Sequence, residues 1–399
     1  RGAAAVAIVM VAALIPCVVI LRNSMSSSAH TNPDAASSPV AKPWGQLEYT
    51  PIVIAPPLEF VPDPPIECYS EDTVWHFSEL GPDGLSILLQ KTGLSAPFSE
   101  KLLSMAVPNE AIGGMSIHPH RQFVLDISPK DRAALYIALY DNRQNIDQQN
   151  LFRFHGSSPD DWFAGSEVSP AVRKLVDPLI YRRGEFMYFA DIRSIGYIAS
   201  RTKRLNLLKA LKRDATFLAH LKISPDSDIE ALVKYWGRGG RENEVRPILE
   251  AMMQRGGEQS INITHLLPAL ARQRLYTYPK RSDSDIMVYR RDCHWTSLNF
   301  FNEVPDDSLS LADGKNAFTA ITTNYYQISG GLRLGDIIVF VNPQRLAIHS
   351  AVYIADDVFF HRCGSQSWAP WALTRRKHLE HYYPSHKKYK IRYFRHNSL

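Results

Sequence analysis

Three short apolar runs near the C-terminus constrain this chain more than any other feature. They are Leu334-Gly335-Asp336-Ile337-Ile338-Val339-Phe340, Ile348-His349-Ser350-Ala351-Val352-Tyr353-Ile354 and Phe359-Phe360-His361. Each is β-branched or aromatic, bounded by turn residues and too short for a helix, which is the pattern of buried strands. Asp356-Asp357 separates the second run from the third, so a tight turn should pair them as an antiparallel hairpin. His349 and His361 are then carried to the same end of one sheet. Upstream lies Asp292-Cys293-His294-Trp295, which reads as a helix start with Asp292 as the cap and Cys293 in the first turn. Backbone N–H groups and the positive end of a helix dipole would favour a thiolate there and could hold an oxyanion. A thiolate still needs a proton partner, and histidine suits that role near neutral pH. A second histidine can fix the ring and tautomer of the first.

In this order and spacing the residues resemble the NlpC-like cell-wall cysteine peptidases, a family with a papain-like fold. The match runs through Asp292-Cys293, then Gly335-Asp336 and Phe340, then His349, Tyr353 and Asp356, and finally His361. It covers residues 276–399 only. The resemblance implies an α+β module with a helix packed on an antiparallel sheet. It also implies Cys293 as nucleophile, His349 as general base and acid, and His361 as the orienting third member. The chain departs from the family at His294-Trp295, where Ser-Gly is usual, and at Ala351, where Gly is common. A bulky His-Trp pair would crowd the cleft. Trp295 and Tyr353 are the residues expected to touch substrate.

Rival readings of the same residues are an inert buried thiol and a zinc site built from Cys293, His294, His349, His361 and Cys363. Their adjacent Cys-His and His-x-Cys pairs lack the two-to-four-residue ligand spacing of zinc modules, so neither metal nor cofactor is expected. The chain has four cysteines. Cys17 falls in an apolar N-terminal run, and the remaining three cannot all pair with one another. Cys363 is then a bystander, or a disulfide partner of Cys68 in an oxidising compartment.

The rest of the chain reads as delivery apparatus. At 399 residues, two to three domains are expected. A net charge of +5 is too weak to argue for nucleic acid. Residues 3–21 are continuously apolar and flanked by Arg1 and Arg22. That is long enough to span a bilayer, and a retained anchor competes with a cleaved signal segment. Residues 23–66 hold nine prolines from Pro33 to Pro65 and should form an extended tether, although Trp44 and Ile52-Val53-Ile54 hint at contact with a folded surface. Residues 67–275 show helical spacing, with starts at Ser128-Pro129 and Ser169-Pro170 and a long run over Leu205–Leu221. His118-Pro119-His120 is read as surface rather than as a metal pair. His378, His381 and His386, set among Arg and Lys residues, are read as a solvated basic face.

The sequence thus predicts an α+β chain with four parts: a transmembrane anchor or signal segment at 1–22, a Pro-rich tether at 23–66, an all-helical domain of unknown role at 67–275, and a papain-like module at 276–399. The function expected is a membrane-tethered cysteine hydrolase on the periplasmic or extracellular side, cleaving an amide bond in a cell-wall peptide. An acyltransferase or thioesterase would use the same triad. The competing class is a non-enzymatic scaffold in which the helical domain binds a protein partner and the papain-like module is degenerate.

Overall fold

The computed structural model describes residues 42–62, 69, 72–279, 291–310, 314–382 and 389–399. In chain order its strands are β1 (Gln46–Ile54), β2 (Trp75–Phe77), β3 (Ala106–Asn109), β4 (Gly114–Ile117), β5 (Phe152–His155), β6 (Tyr181–Arg183), β7 (Phe186–Phe189), β8 (Asp214–Ile223) and β9 (Gln259–Asn262). They continue through β10 (Tyr325–Ile328), β11 (Ile337–Val341), β12 (Ala347–Ala355), β13 (Val358–Arg362), β14 (Trp371–Arg375) and β15 (Lys390–His396). The last six form one antiparallel sheet in the order β10-β15-β11-β12-β13-β14. The others form three-stranded sheets, β1-β8-β9, β2-β4-β3 and β5-β7-β6.

Two expectations are corrected. The region 67–275 is not all-helical, because it carries strands of all three small sheets among its helices. Leu205–Leu221 shows why. The helix Arg201–Leu211 ends at Lys212-Arg213, and Asp214–Ile223 is a strand whose inward residues Ala219, Leu221 and Ile223 are fully buried. Leu207, Leu208 and Leu211 continue into Ala215 and Leu218 at spacings that also fit a helix, so a local period could not locate the break. The partner that makes β8 a strand is β1, paired with it from Gln46–Lys222 to Ile54–Asp214. Part of the expected tether is therefore sheet. Trp44 packs against Tyr235 and Tyr353, and its carbonyl accepts the Trp236 indole N–H at 3.1 Å.

The second correction concerns the membrane. Among the described residues no helix is long and apolar enough to cross one. The expected span at 1–22 lies outside the described residues, as does most of the Pro-rich stretch before residue 42. The transmembrane, exported placement therefore has no support in the structure.

Helix starts are capped locally, at Ser128 as the sequence implies and at two further residues. Ser128 caps Pro129–Tyr140 by accepting the Asp131 N–H at 3.1 Å. Asp228 caps Ile229–Trp236 by accepting the Ala231 N–H at 3.0 Å. His120 also serves as a cap, its Nδ1 accepting the Phe123 N–H at 3.1 Å, which accounts for one member of the His118-Pro119-His120 pair.

The large sheet buries both faces. Ile337, Val339, Val352, Ile354 and Phe360 join Trp295 and Phe300 in a core that continues through β8 and the helices Ile229–Trp236 and Glu242–Gln254. Ile338, Phe340, Ala351, Tyr353 and Phe359 form the opposite face with Leu379. Near-continuous apolarity along β11 to β13 follows from burial on two sides.

Gly335-Asp336 holds this sheet in place. Gly335 has φ +89°, and a Cβ there would lie 2.1 Å from the Phe301 ring. Asp336 is fully buried. Its carboxylate accepts from Arg395 on β15 at 2.9 and 2.7 Å, from Arg238 at 3.3 Å and from the Arg333 N–H at 2.7 Å. Removing one member of such a group strands buried charge, which costs about 3–5 kcal/mol. Asp336→Ala should lower unfolding free energy by about that amount in urea titration. Asp336→Asn keeps one acceptor oxygen but turns an amide NH2 toward N–H donors, and should destabilise as well.

Candidate functional site

Cys293 opens the short helix Cys293–Leu298. Asp292 is its cap, and one carboxylate oxygen accepts both the His294 N–H at 2.9 Å and the Trp295 N–H at 3.0 Å. The cap forms as the sequence implies, but it consumes the two N–H groups expected to serve a thiolate or an oxyanion. With the sulfur buried and the Asp292 carboxylate beside it, the thiol is pushed well above its ordinary pKa, and backbone N–H groups of Ser350 and His294 offset this only in part.

His294 and Trp295 do not crowd a cleft, because both turn inward. The His294 ring places Nδ1 3.0 Å from Ser350 Oγ and Nε2 3.1 Å from the Ala347 carbonyl. A carbonyl can only accept, so Nε2 carries the proton and Nδ1 is an acceptor. Trp295 is fully buried, its indole N–H donating to Asp307 at 3.0 Å. Tyr353 is also buried, its hydroxyl donating to the Asp356 carbonyl at 3.1 Å. Neither expected substrate contact presents a surface to a ligand in this conformation.

The strand geometry locates the thiol. Tyr353 bonds toward β11, its N–H donating to the Asp336 carbonyl at 2.7 Å and its carbonyl accepting the Gly335 N–H at 3.0 Å. Alternation along a strand flanked on both sides then points the Ser350 N–H toward β13. Pairing of β12 with β13 runs from Ala355–Val358 only as far as Val352–Phe360, so at Ser350 that ladder has ended. The Cys293 thiol lies beside this N–H, which offsets part of the burial penalty on the thiol. Ser350 Oγ also lies 3.2 Å from the Cys293 carbonyl, which shares the single hydroxyl proton with His294 Nδ1, so the contact at Ser350 seats the helix start on β12.

His349 and His361 project from the other face of the same strands, the face of Ala351 and Phe359. Their rings meet edge to face with centroids 5.2 Å apart. His349 also packs on Phe340, and His361 on Tyr382 at 5.1 Å. The expected hairpin therefore does bring the imidazoles together, and the thiol enters the gap between their two strands from the helix side. Burial, then the neighbouring His361, His294 and Arg153 charges, holds His349 well below the usual histidine pKa. Burial and Arg153 bring His361 down to about 3. His361 Nδ1 has no hydrogen-bond partner among the described residues. Thiol and imidazoles are thus all neutral at pH 7, not a thiolate–imidazolium pair.

Two arginines escaped the sequence analysis. Arg362 is fully buried. It donates to the carbonyls of Ala369 (3.1 Å), Ser365 (3.1 Å), Gln366 (2.6 Å) and Arg291, and lies 5.0 Å from the Trp371 ring centre. It thereby fixes the backbone just before Asp292, and burial lowers its pKa to about 10. A lone arginine closing the apolar run of β13 was the available signal. Arg153, from β5, donates to Cys363 Sγ at 2.8 Å and covers the Tyr382 ring. Cys363 is a free thiol, as is Cys293; Cys68 and Cys17 lie outside the described residues. A cavity of about 920 Å³ opens at the far end of the cysteine helix beside Ser297 and Phe301 and includes none of the expected triad.

The depressed His361 pKa sets a pH dependence. The native ring excludes a proton that the unfolded chain accepts below its ordinary value of 6.5. Stability from this group is therefore complete above pH 6.5 and is lost as pH falls toward 3. At pH 5 the loss is about 2 kcal/mol. Urea titrations at pH 7.5 and 5 should show the stability gap between parent and His361→Gln shrinking by about that amount at the lower pH. An unchanged gap would mean that His361 takes a proton while native. In comparisons with known proteins, no family model, no curated protein and no solved structure matches this chain.

Proposed function

We propose that the C-terminal module is a cysteine hydrolase of amide bonds, with Cys293 as nucleophile, His349 as general base and acid, and His361 positioning the His349 ring. The observation that carries this reading is the seating of the Cys293 helix start on β12 at Ser350, next to His349, where the β12–β13 ladder has ended. In the reaction the thiol proton passes to His349 as sulfur attacks the carbonyl carbon, because a neutral thiol and a neutral imidazole are the starting pair. The imidazolium then protonates the departing amine. Water hydrolyses the thioester with the same ring as base. Substrate reaches the buried sulfur and His349 when the packing over the histidines, to which Tyr382 contributes, moves aside. A cell-wall peptide is the substrate class implied by the resemblance alone.

Burial favours a second reading. Cys293 is 5% exposed, His349 0% and His361 1%. A module that never opens is a scaffold, with Cys293 as a packing residue and the partner bound elsewhere. Alkylation separates the two. In a chain with Cys17, Cys68 and Cys363 changed to Ser, the hydrolase reading expects iodoacetamide to label Cys293 in the native protein at pH 7.5. His349→Ala should slow labelling about 10²-fold. Labelling only in denaturant, or at a rate indifferent to His349, supports the scaffold and removes the hydrolase.

A further inference from the structure

Away from Cys293, three potential ligands converge from separate parts of the chain. His155 ends β5, Glu185 lies in the turn between β6 and β7, and His378 belongs to the short helix Arg376–Leu379 that follows β14. Their ligand atoms all lie within 4.8 Å of one another. Both Nε2 atoms aim at the same carboxylate oxygen: Glu185 Oε2 is 2.8 Å from His378 and 3.3 Å from His155. We propose that His155, Glu185 and His378 form a binding site for a divalent transition metal of the zinc class, clamping the segment after β14 onto the β5-β7-β6 sheet.

Four features support the assignment. Two histidines and one glutamate make a recurrent zinc donor set that leaves a fourth position open. Bonds of about 2.0–2.1 Å in tetrahedral array require ligand atoms about 3.3 Å apart; His155 Nε2 already stands 3.3 Å from Glu185 Oε2, and His378 Nε2, at 2.8 Å, needs only a small outward shift. Lys377 Nζ holds the other oxygen, Oε1, at 2.7 Å, leaving Oε2 directed at the rings; outer partners of this kind commonly orient a ligating carboxylate. Phe186 is a shared floor for both imidazoles, with ring centres 5.2 Å from His155 and 5.4 Å from His378. The rings themselves stand 4.1 Å apart at 36°. Without a metal, two imidazoles and an ammonium all converge on one half-exposed carboxylate. A cation between the rings uses both nitrogen lone pairs.

Zinc chloride titrated calorimetrically into the metal-stripped full chain at pH 7.5 should show one site that raises the thermal midpoint. His155→Ala, His378→Ala and Glu185→Gln should each weaken binding at least about tenfold, while His265→Ala leaves it unchanged. Cobalt(II) at the same site should give tetrahedral d–d bands without a thiolate charge-transfer band. No zinc binding, binding unaffected by the three variants, or a thiolate band would each overturn the proposal. The three altered positions are partly exposed, and a near-parental thermal midpoint without metal separates lost ligation from lost folding.

Discussion

One buried carboxylate underlies the C-terminal sheet. Asp336 is fully enclosed, and its ionised form is tolerable only because Arg395, Arg238 and a backbone N–H surround it. Arg395 comes from β15, which is hydrogen-bonded to the same strand, and Arg238 from the turn after Ile229–Trp236. The carboxylate therefore joins the sheet to the region before it, alongside a shared apolar core. The backbone of Gly335 and Asp336 also brackets Tyr353 on β12. That bond pattern sends the Ser350 N–H to the opposite side, where it lies beside the thiol. The location of the thiol is thus a consequence of register established several residues away.

Burial controls the chemistry of the site more than the helix end does. A six-residue helix whose first free N–H groups are already spent on Asp292 has little to offer a thiolate. Desolvation acts on both partners so as to favour the neutral forms, raising the thiol and lowering the imidazoles. On the helix side the Asp292 carboxylate adds to the rise of the thiol, and the buried Arg362 guanidinium donates to backbone carbonyls. Opening the cover to water would relax all of these shifts at once, so reactivity and exposure are coupled in this module.

Legibility differed along the chain for identifiable reasons. The hairpin of β12 and β13 could be read from two apolar runs and one turn, and Asp356 does adopt the left-handed conformation that such a turn requires, with φ +58°. Helix starts with Ser or Asp caps were readable because capping is local. The strand β8 was not, because its apolar residues fit two periods and its pairing partner lies about 165 residues upstream in a proline-rich stretch. Small sheets built from three- and four-residue strands leave almost no periodic signal at all. The cluster of His155, Glu185 and His378 could not be seen either, since its members share no local spacing.

By itself, then, the sequence determined the local features of this protein. It placed a cap before Cys293, strands at the three apolar runs, and two histidines on one hairpin face, because each depends on residues within a dozen positions. Tertiary structure alone decided the rest. It turned His294 and Trp295 into the core, spent the cap's N–H groups, closed the site to solvent and converted supposed linker into sheet. Those outcomes depend on which distant surfaces meet, and burial, not spacing, then sets the charge state of every group in the site.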